Sequence, residues 1–197
     1  MAHPDRDEMV TDLRTRLDQP ASVIWDTNGV ETDTGAAALA AYDPTATHHL
    51  VIQDDALPCA DLIAGSHRLT VARPHDIISL YVGRVRPSPR AVTAAVTRAE
   101  QTSATWITHR NLLWGVGVIL PVQHIPGLLA SPRHRQYDRW ISHYANRNSL
   151  TVAYPYPSPL DHRGDDSLLA HSKIRRAHRH TEGSLLCQPI DGPVVAI

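Results

Sequence analysis

HHLVIQDDALP (48–58) is the stretch on which the fold turns. Leu50, Val51 and Ile52 make an apolar run that stops abruptly at Gln53, Asp54 and Asp55, the pattern of a buried strand with carboxylates at its rim. Working outward, CADLIAGSHRLTVA (59–72) reads as the helix that follows, and DIISLYVG (76–83) as a further strand ending at a glycine. Upstream, DEMVTDLRTRL (7–17) spaces Met9, Val10, Leu13 and Leu17 as an amphipathic helix. SVIWD (22–26) is a short apolar run ending in an acid, and TGAAALAAY (34–42) a helix with Thr34 near its cap. Downstream, 91–104 has helical composition, and LLWGVGVILP (112–121) is apolar with Gly115 and Gly117 inside it, before a helix at 122–130. QYDRWISHYANR (136–147) is an amphipathic helix, and LTVAYPYPSPLDH (150–162) opens as a strand and turns Pro-rich. Strands alternating with helices predict an α/β fold with a mostly parallel central sheet flanked by helices. Ligands of such sheets gather outside the carboxyl ends of the strands.

With 197 residues, 42% apolar and 20% charged, the length and balance fit one domain with a buried core. There is no Phe, and Lys173 is the only lysine among 19 basic residues, a bias expected of a GC-rich genome. One lysine in a basic C-terminal stretch excludes P-loop chemistry, Schiff-base catalysis and the restriction-type nuclease site. Cys59 and Cys187 are too few and too far apart for a disulfide framework or a zinc site. No apolar run is long enough to span a membrane and no signal region opens the chain, which points to a soluble, cytoplasmic protein with no membrane partner. Charge is divided. Residues 1–61 hold twelve acids against three arginines (−9), while 62–130 and 131–180 each sum to +5. Such a division suits a site in which one part holds a cation and another an anion.

Two adjacent carboxylates at a strand end must be protonated, separated or neutralised. A hard divalent ion needs only one or two of them and takes phosphate oxygens as further ligands. The other reading is a pair capping the helix near Cys59. HHLVIQDDALP (48–58) also resembles the apolar strand plus EDD or DxD element of glycosyltransferases of the GT-A fold, above all the small family-25-like and phage-encoded members. LLWGVGVILP (112–121), QYDRWISHY (136–144) and YPSPLDHRGDDSLL (156–169) follow in the order and spacing of that group, so the resemblance spans about residues 20–170. Gln53 stands where the first acid of the element is often found. The resemblance implies a GT-A-like, Rossmann-like domain over 21–170, between an N-terminal helix (1–20) and a basic, His-rich C-terminal tail (171–197). For phage-encoded members the location is the host cytoplasm.

The same resemblance implies sugar transfer from a nucleotide-sugar donor, a UDP-sugar favoured, to an acceptor hydroxyl, with Mn2+ or Mg2+ as cofactor. It gives Asp55 and His162 as metal ligands and Asp54 as the residue meeting ribose or a diphosphate-bound water. Asp26 is a candidate for a uracil or ribose edge, or else a turn cap. Arg84 and Arg163 are candidates for donor phosphate. Asp138 is the candidate base for an inverting reaction, which a retaining one would not need. Trp114 and Gly115 are candidates for stacking against the acceptor, with Trp114 as a core residue the alternative. The acceptor is open among a hydroxymethylated base in phage DNA, a protein side chain and a glycan. The Arg-rich remainder favours DNA, whose phosphates arginines bind irrespective of sequence. The competing classes are a metal-dependent nuclease built on His48, His49 and the acid pair, and an inactive nucleic-acid-binding module on the same fold.

Overall fold

A computed structural model describes residues 1–84, 87–163 and 176–197. Lys173 and the last six residues (164–169) of the YPSPLDHRGDDSLL segment lie outside the described residues. The chain opens with a 3-10 turn (Pro4–Arg6) and α1 (Asp7–Arg16), which carries acids in its first turn and arginines in its last, as the helix dipole favours. Then come α2 (Glu31–Ala40), β1 (His48–Ile52), β2 (Ala56–Pro58), α3 (Leu62–Ala72), β3 (Ile77–Ser79) and α4 (Pro89–Thr102). They are followed by β4 (Trp106–His109), β5 (Gly117–Pro121), α5 (Ile125–Leu129), α6 (Tyr137–Arg147), β6 (Val152–Pro155), β7 (Leu160–His162) and β8 (Val194–Ala196). SVIWD forms no strand; Trp25 makes an isolated bridge to Ala2. The helix expected at 34 begins a turn earlier, at Glu31 after an extended Val30.

Six strands form one sheet in the order β1-β5-β3-β6-β4-β8, and β2 pairs with β7 in a separate ribbon. The expectation of a mostly parallel sheet is corrected here. Only β3 with β6 and β4 with β8 pair in parallel; β5 runs against both β1 and β3, and β4 against β6. The chain reverses over α4, between β3 and β4, and again over α5 and α6, between β5 and β6, whereas residues 110–116 join β4 to β5, two strands that run the same way, without a helix. That segment is held against the sheet: the Leu113 amide donates to Tyr154 Oη at 2.8 Å, and Ser142 Oγ donates to the Leu112 carbonyl at 3.0 Å. Strand alternation then sorts neighbours to opposite faces. Ile77, Ile107, Val118 and Val152 join the core under α2, α4, α5 and α6, while Ile78, Trp106, Ile119 and Ala153 join the core under α3.

The C-terminal stretch 176–197 is part of this fold rather than an appended tail. It supplies β8 to the sheet edge and buries Leu185 against Gly65 of α3. Because β1, β3 and β6 point one way and β5 the other, one rim gathers the carboxyl ends of three strands and the entry to β5. Asp54, Asp55, Tyr81, Trp114 and Gly115 all follow or precede those strand ends.

Candidate active site

The acid pair is fixed by backbone before any side chain is considered. Gln53 N donates to the Val116 carbonyl at 2.9 Å, and Ala56 N closes a turn onto Gln53 O at 3.2 Å, leaving Asp54 and Asp55 in the turn between β1 and β2. The β2–β7 ribbon sets Ala56 opposite His162, and Arg163 N donates to the Asp55 carbonyl at 2.9 Å. His162 is thereby carried to Asp55: Nε2 lies 3.3 Å from Oδ2. All three side chains are buried, Asp54 at 6% exposure, Asp55 at 8% and His162 at 4%. Asp161 locks the ribbon, its Oδ1 accepting from Ala177 N at 2.7 Å.

A cation already stands at the pair. Arg6, brought in by the 3-10 turn, donates from one terminal nitrogen to Asp54 Oδ1 at 2.8 Å and to Asp55 Oδ2 at 2.9 Å. The His3 amide donates to Asp54 Oδ2 at 2.8 Å. Burial works against the Arg6 charge, yet the carboxylates of Asp55 and Asp54 together hold the guanidinium above its ordinary pKa. Asp55 Oδ1 is buried with no hydrogen-bond partner among the described residues. A cleft of about 310 Å³ runs beside the pair between α1 and the edge strand β1. Val10, Leu13, Ile24, Leu50 and Ile52 give it apolar walls, and Asp54 lines it as well.

Next to His162 stands an aromatic wall. The Tyr81 ring lies 6.1 Å from His162 and meets Trp114 edge-on at 5.8 Å, and Trp114 meets Tyr154 edge-on at 6.1 Å. Gly83 makes room for this wall, since a Cβ there would stand 2.7 Å from Tyr81 and 2.8 Å from Trp114 Nε1. Trp114 and Gly115 are half-buried, so the wall keeps a solvent-facing part. Gly115 lies against Tyr137 and Asp138 at the start of α6. Burial raises the Asp138 carboxyl pKa, against partial relief from the Arg139 amide, whose N–H it accepts at 2.7 Å.

Asp54, Asp55 and His162 therefore come together, and Trp114, Gly115 and Asp138 share their rim through Tyr81. Three further candidates are committed elsewhere. Asp26 is half-buried and caps a turn, its Oδ1 accepting from Asn28 N at 3.1 Å and Gly29 N at 2.8 Å. Arg84 donates to the carbonyls of Ala177 (2.7 Å) and His178 (3.0 Å), strapping the C-terminal stretch to the end of β3. The Arg163 side chain pairs with Asp12 of α1. Arg6 and Tyr81 are the residues that sequence reasoning passed over. Tyr81 had a signal, two places before the glycine that ends its strand; Arg6 had none beyond being a rare base in an acidic third.

Asp55 and His162 are the side chains that would hold Mn2+ or Mg2+. Neighbouring ligands of a small divalent ion bound at about 2.1 Å lie about 3 Å apart, and the 3.3 Å between Asp55 Oδ2 and His162 Nε2 is close to that. The unpartnered Asp55 Oδ1 offers a further oxygen. Among the described residues no group of three His, Cys, Asp or Glu side chains is placed to hold a metal ion, so an ion on Asp55 and His162 would take its other positions from water or ligand oxygens. Also among them, no helix is long and apolar enough to cross a membrane. Neither protein-family models nor curated proteins give a match to this chain.

Proposed function

We propose that the chain is a metal-assisted glycosyltransferase that moves a sugar from a nucleotide-sugar, a UDP-sugar favoured, to an acceptor hydroxyl. The observation that carries this reading is the meeting of Asp55 and His162, far apart in sequence, at 3.3 Å on the carboxyl rim of the sheet. An acid and an imidazole in that arrangement suit a divalent ion that also takes diphosphate oxygens. When bound, the ion supplies positive charge to the departing nucleotide diphosphate. The adjoining cleft is at the small end of the range for ligand sites and has the apolar walls such sites use.

The chain's own groups supply the rest. His162 is oriented by the ribbon, Trp114 offers a ring face at the rim, and Asp138 is a carboxylate next to Gly115 that takes the proton of the attacking hydroxyl in an inverting reaction. Arg135 and Arg139 are exposed on either side of Asp138 and give a phosphate-bearing acceptor such as DNA with a hydroxymethylated base its counter-charge. Calorimetry with UDP and UDP-glucose, with and without Mn2+, tests the reading. UDP binding is expected to tighten with Mn2+ and to weaken about tenfold or more in Asp55→Asn and His162→Ala, the cost of about 1.4 kcal/mol per decade being within reach of one metal ligand. Equal binding in all three proteins sinks the proposal. Plasmid cleavage that needs Mn2+ and disappears in Asp55→Ala would replace it with a nuclease.

A further inference from the structure

We infer that Arg6 and a divalent cation are alternative occupants of the acid pair, so that metal binding displaces the N-terminal segment from the site. The inference rests on the metal site of the proposed function and adds a residue that no part of that proposal uses. Arg6 lies on Asp55 Oδ2, the same oxygen that faces His162 at 3.3 Å, and its side chain is only 11% exposed. A divalent ion held by Asp55 and His162 would meet the guanidinium at close range, with little water between to screen the repulsion. Both charges cannot keep that position.

The N-terminal segment has further ties besides Arg6, among them the amino terminus, which donates to the Ile52 carbonyl at 2.8 Å. Beyond Arg6 it is held to the pair by the His3 amide on Asp54, and its backbone is joined to residues 24–26 through Ala2. Val10 and Leu13 of the following α1 form one wall of the 310 Å³ cleft. Exchange of guanidinium for metal therefore frees Asp54 and loosens the wall of the cleft beside it. In the metal-free chain Arg6 offsets one of the two negative charges of a carboxylate pair that would otherwise repel in a buried place.

Two measurements test this on the full chain. The first is Mn2+ affinity, read from the spin-resonance signal of free Mn2+, for the wild type, Arg6→Gln and Arg6→Lys. Removal of the charge is expected to tighten Mn2+ binding about tenfold or more, with Arg6→Lys close to the wild type. Thermal unfolding should show a larger Mn2+-dependent rise for Arg6→Gln than for the wild type, because the variant's acid pair lacks a counter-charge until metal arrives. The second needs no variant: amide hydrogen exchange of the wild type, where Mn2+ should speed exchange at His3 and across residues 5–16. Equal or weaker Mn2+ affinity in Arg6→Gln, or unchanged exchange in wild type saturated with Mn2+, overturns the inference. If Mn2+ binds neither protein while UDP still binds, the inference fails and nucleotide binding stands. If neither ligand binds, both fail.

Discussion

Asp138 occupies the first turn of α6, where the helix dipole favours a carboxylate, yet burial raises its pKa above the ordinary value. The folded chain therefore binds this proton more tightly than the unfolded chain, and stability falls as pH rises through the raised value. Asp138→Asn keeps the neutral shape and the acceptor for the Arg139 amide. It should raise the unfolding midpoint at pH 7 and leave it unchanged at about pH 3, below the unfolded carboxyl value. As a base Asp138 works only when ionised, so turnover should climb with pH through the same titration, and the variant should lose about 10²–10⁴ of kcat. A turnover unaffected by the change would remove Asp138 from the chemistry while leaving the stability argument intact. Other site residues differ in how far they could be read from the chain alone. Asp54, Asp55 and His162 belong to short motifs whose elements carry them to one place. Arg6 does not, since its partners lie 48 and 49 positions away and only the docking of the first helix brings it there.

At the scale of elements, the start of α3 shows why helices are easier to read than their supports. CADLIAGSHRLTVA reads as a helix from residue 59, and the helix begins only at Leu62, after Asp61. Asp61, however, has a left-handed backbone (φ 55°), and its carboxylate accepts from Ser184 Oγ at 2.5 Å instead. The free amides of Ile63 and Ala64 are met by Asp18, from the loop after α1, at 2.8 and 2.9 Å. Asp18→Ala should therefore cost about 1 kcal/mol, the usual loss for a missing cap, and Asp61→Ala should leave these two amides capped. Urea unfolding of both variants checks this; a larger loss at Asp61 with none at Asp18 would refute it. The sheet gives the same lesson. Apolar runs marked β1, β3 and the start of β6, but WITH (106–109) is short and mixed in polarity, so β4 had no run to mark it. LLWGVGVILP marked a buried segment around β5, yet a run buried on both faces carries no sign of direction. Direction is set where the chain reverses, over α4 between β3 and β4 and over α5 and α6 between β5 and β6, and the packing of those long connections is not a local property of the strands they join.

Across the whole molecule the charge division resolves largely into internal bonds. Asp33 of the acidic third pairs with Arg133 at 2.7 Å, and Asp12 pairs with Arg163. Arg68, Arg84 and Arg98 instead bind backbone carbonyls of the C-terminal stretch: Arg68 those of Leu185, Leu186 and Gln188, Arg84 those of Ala177 and His178, and Arg98 that of Ala196. Arginine is suited to this, since one planar cation presents several donors to the backbone carbonyls of an irregular chain. The arginines of the basic part thus do two jobs, and those that strap the C-terminal stretch are not available to a polyanionic acceptor. Arg68 makes the case testable, because it holds three carbonyls around the 3-10 turn that buries Leu185. A hydrogen bond to a charged group contributes about 1.5–3 kcal/mol, and each kcal/mol moves the midpoint of a chain this size by about 2–4 °C. Arg68→Ala should therefore lower the unfolding midpoint by about 3–12 °C, with Arg68→Lys recovering part of the loss. DNA affinity at low salt should not change in either variant, whereas Arg135→Ala with Arg139→Ala should weaken it and flatten its salt dependence. Equal losses of DNA affinity from the change at Arg68 and from the changes at Arg135 and Arg139 would mean that the strapping arginines also face the acceptor, and the division of labour would fall.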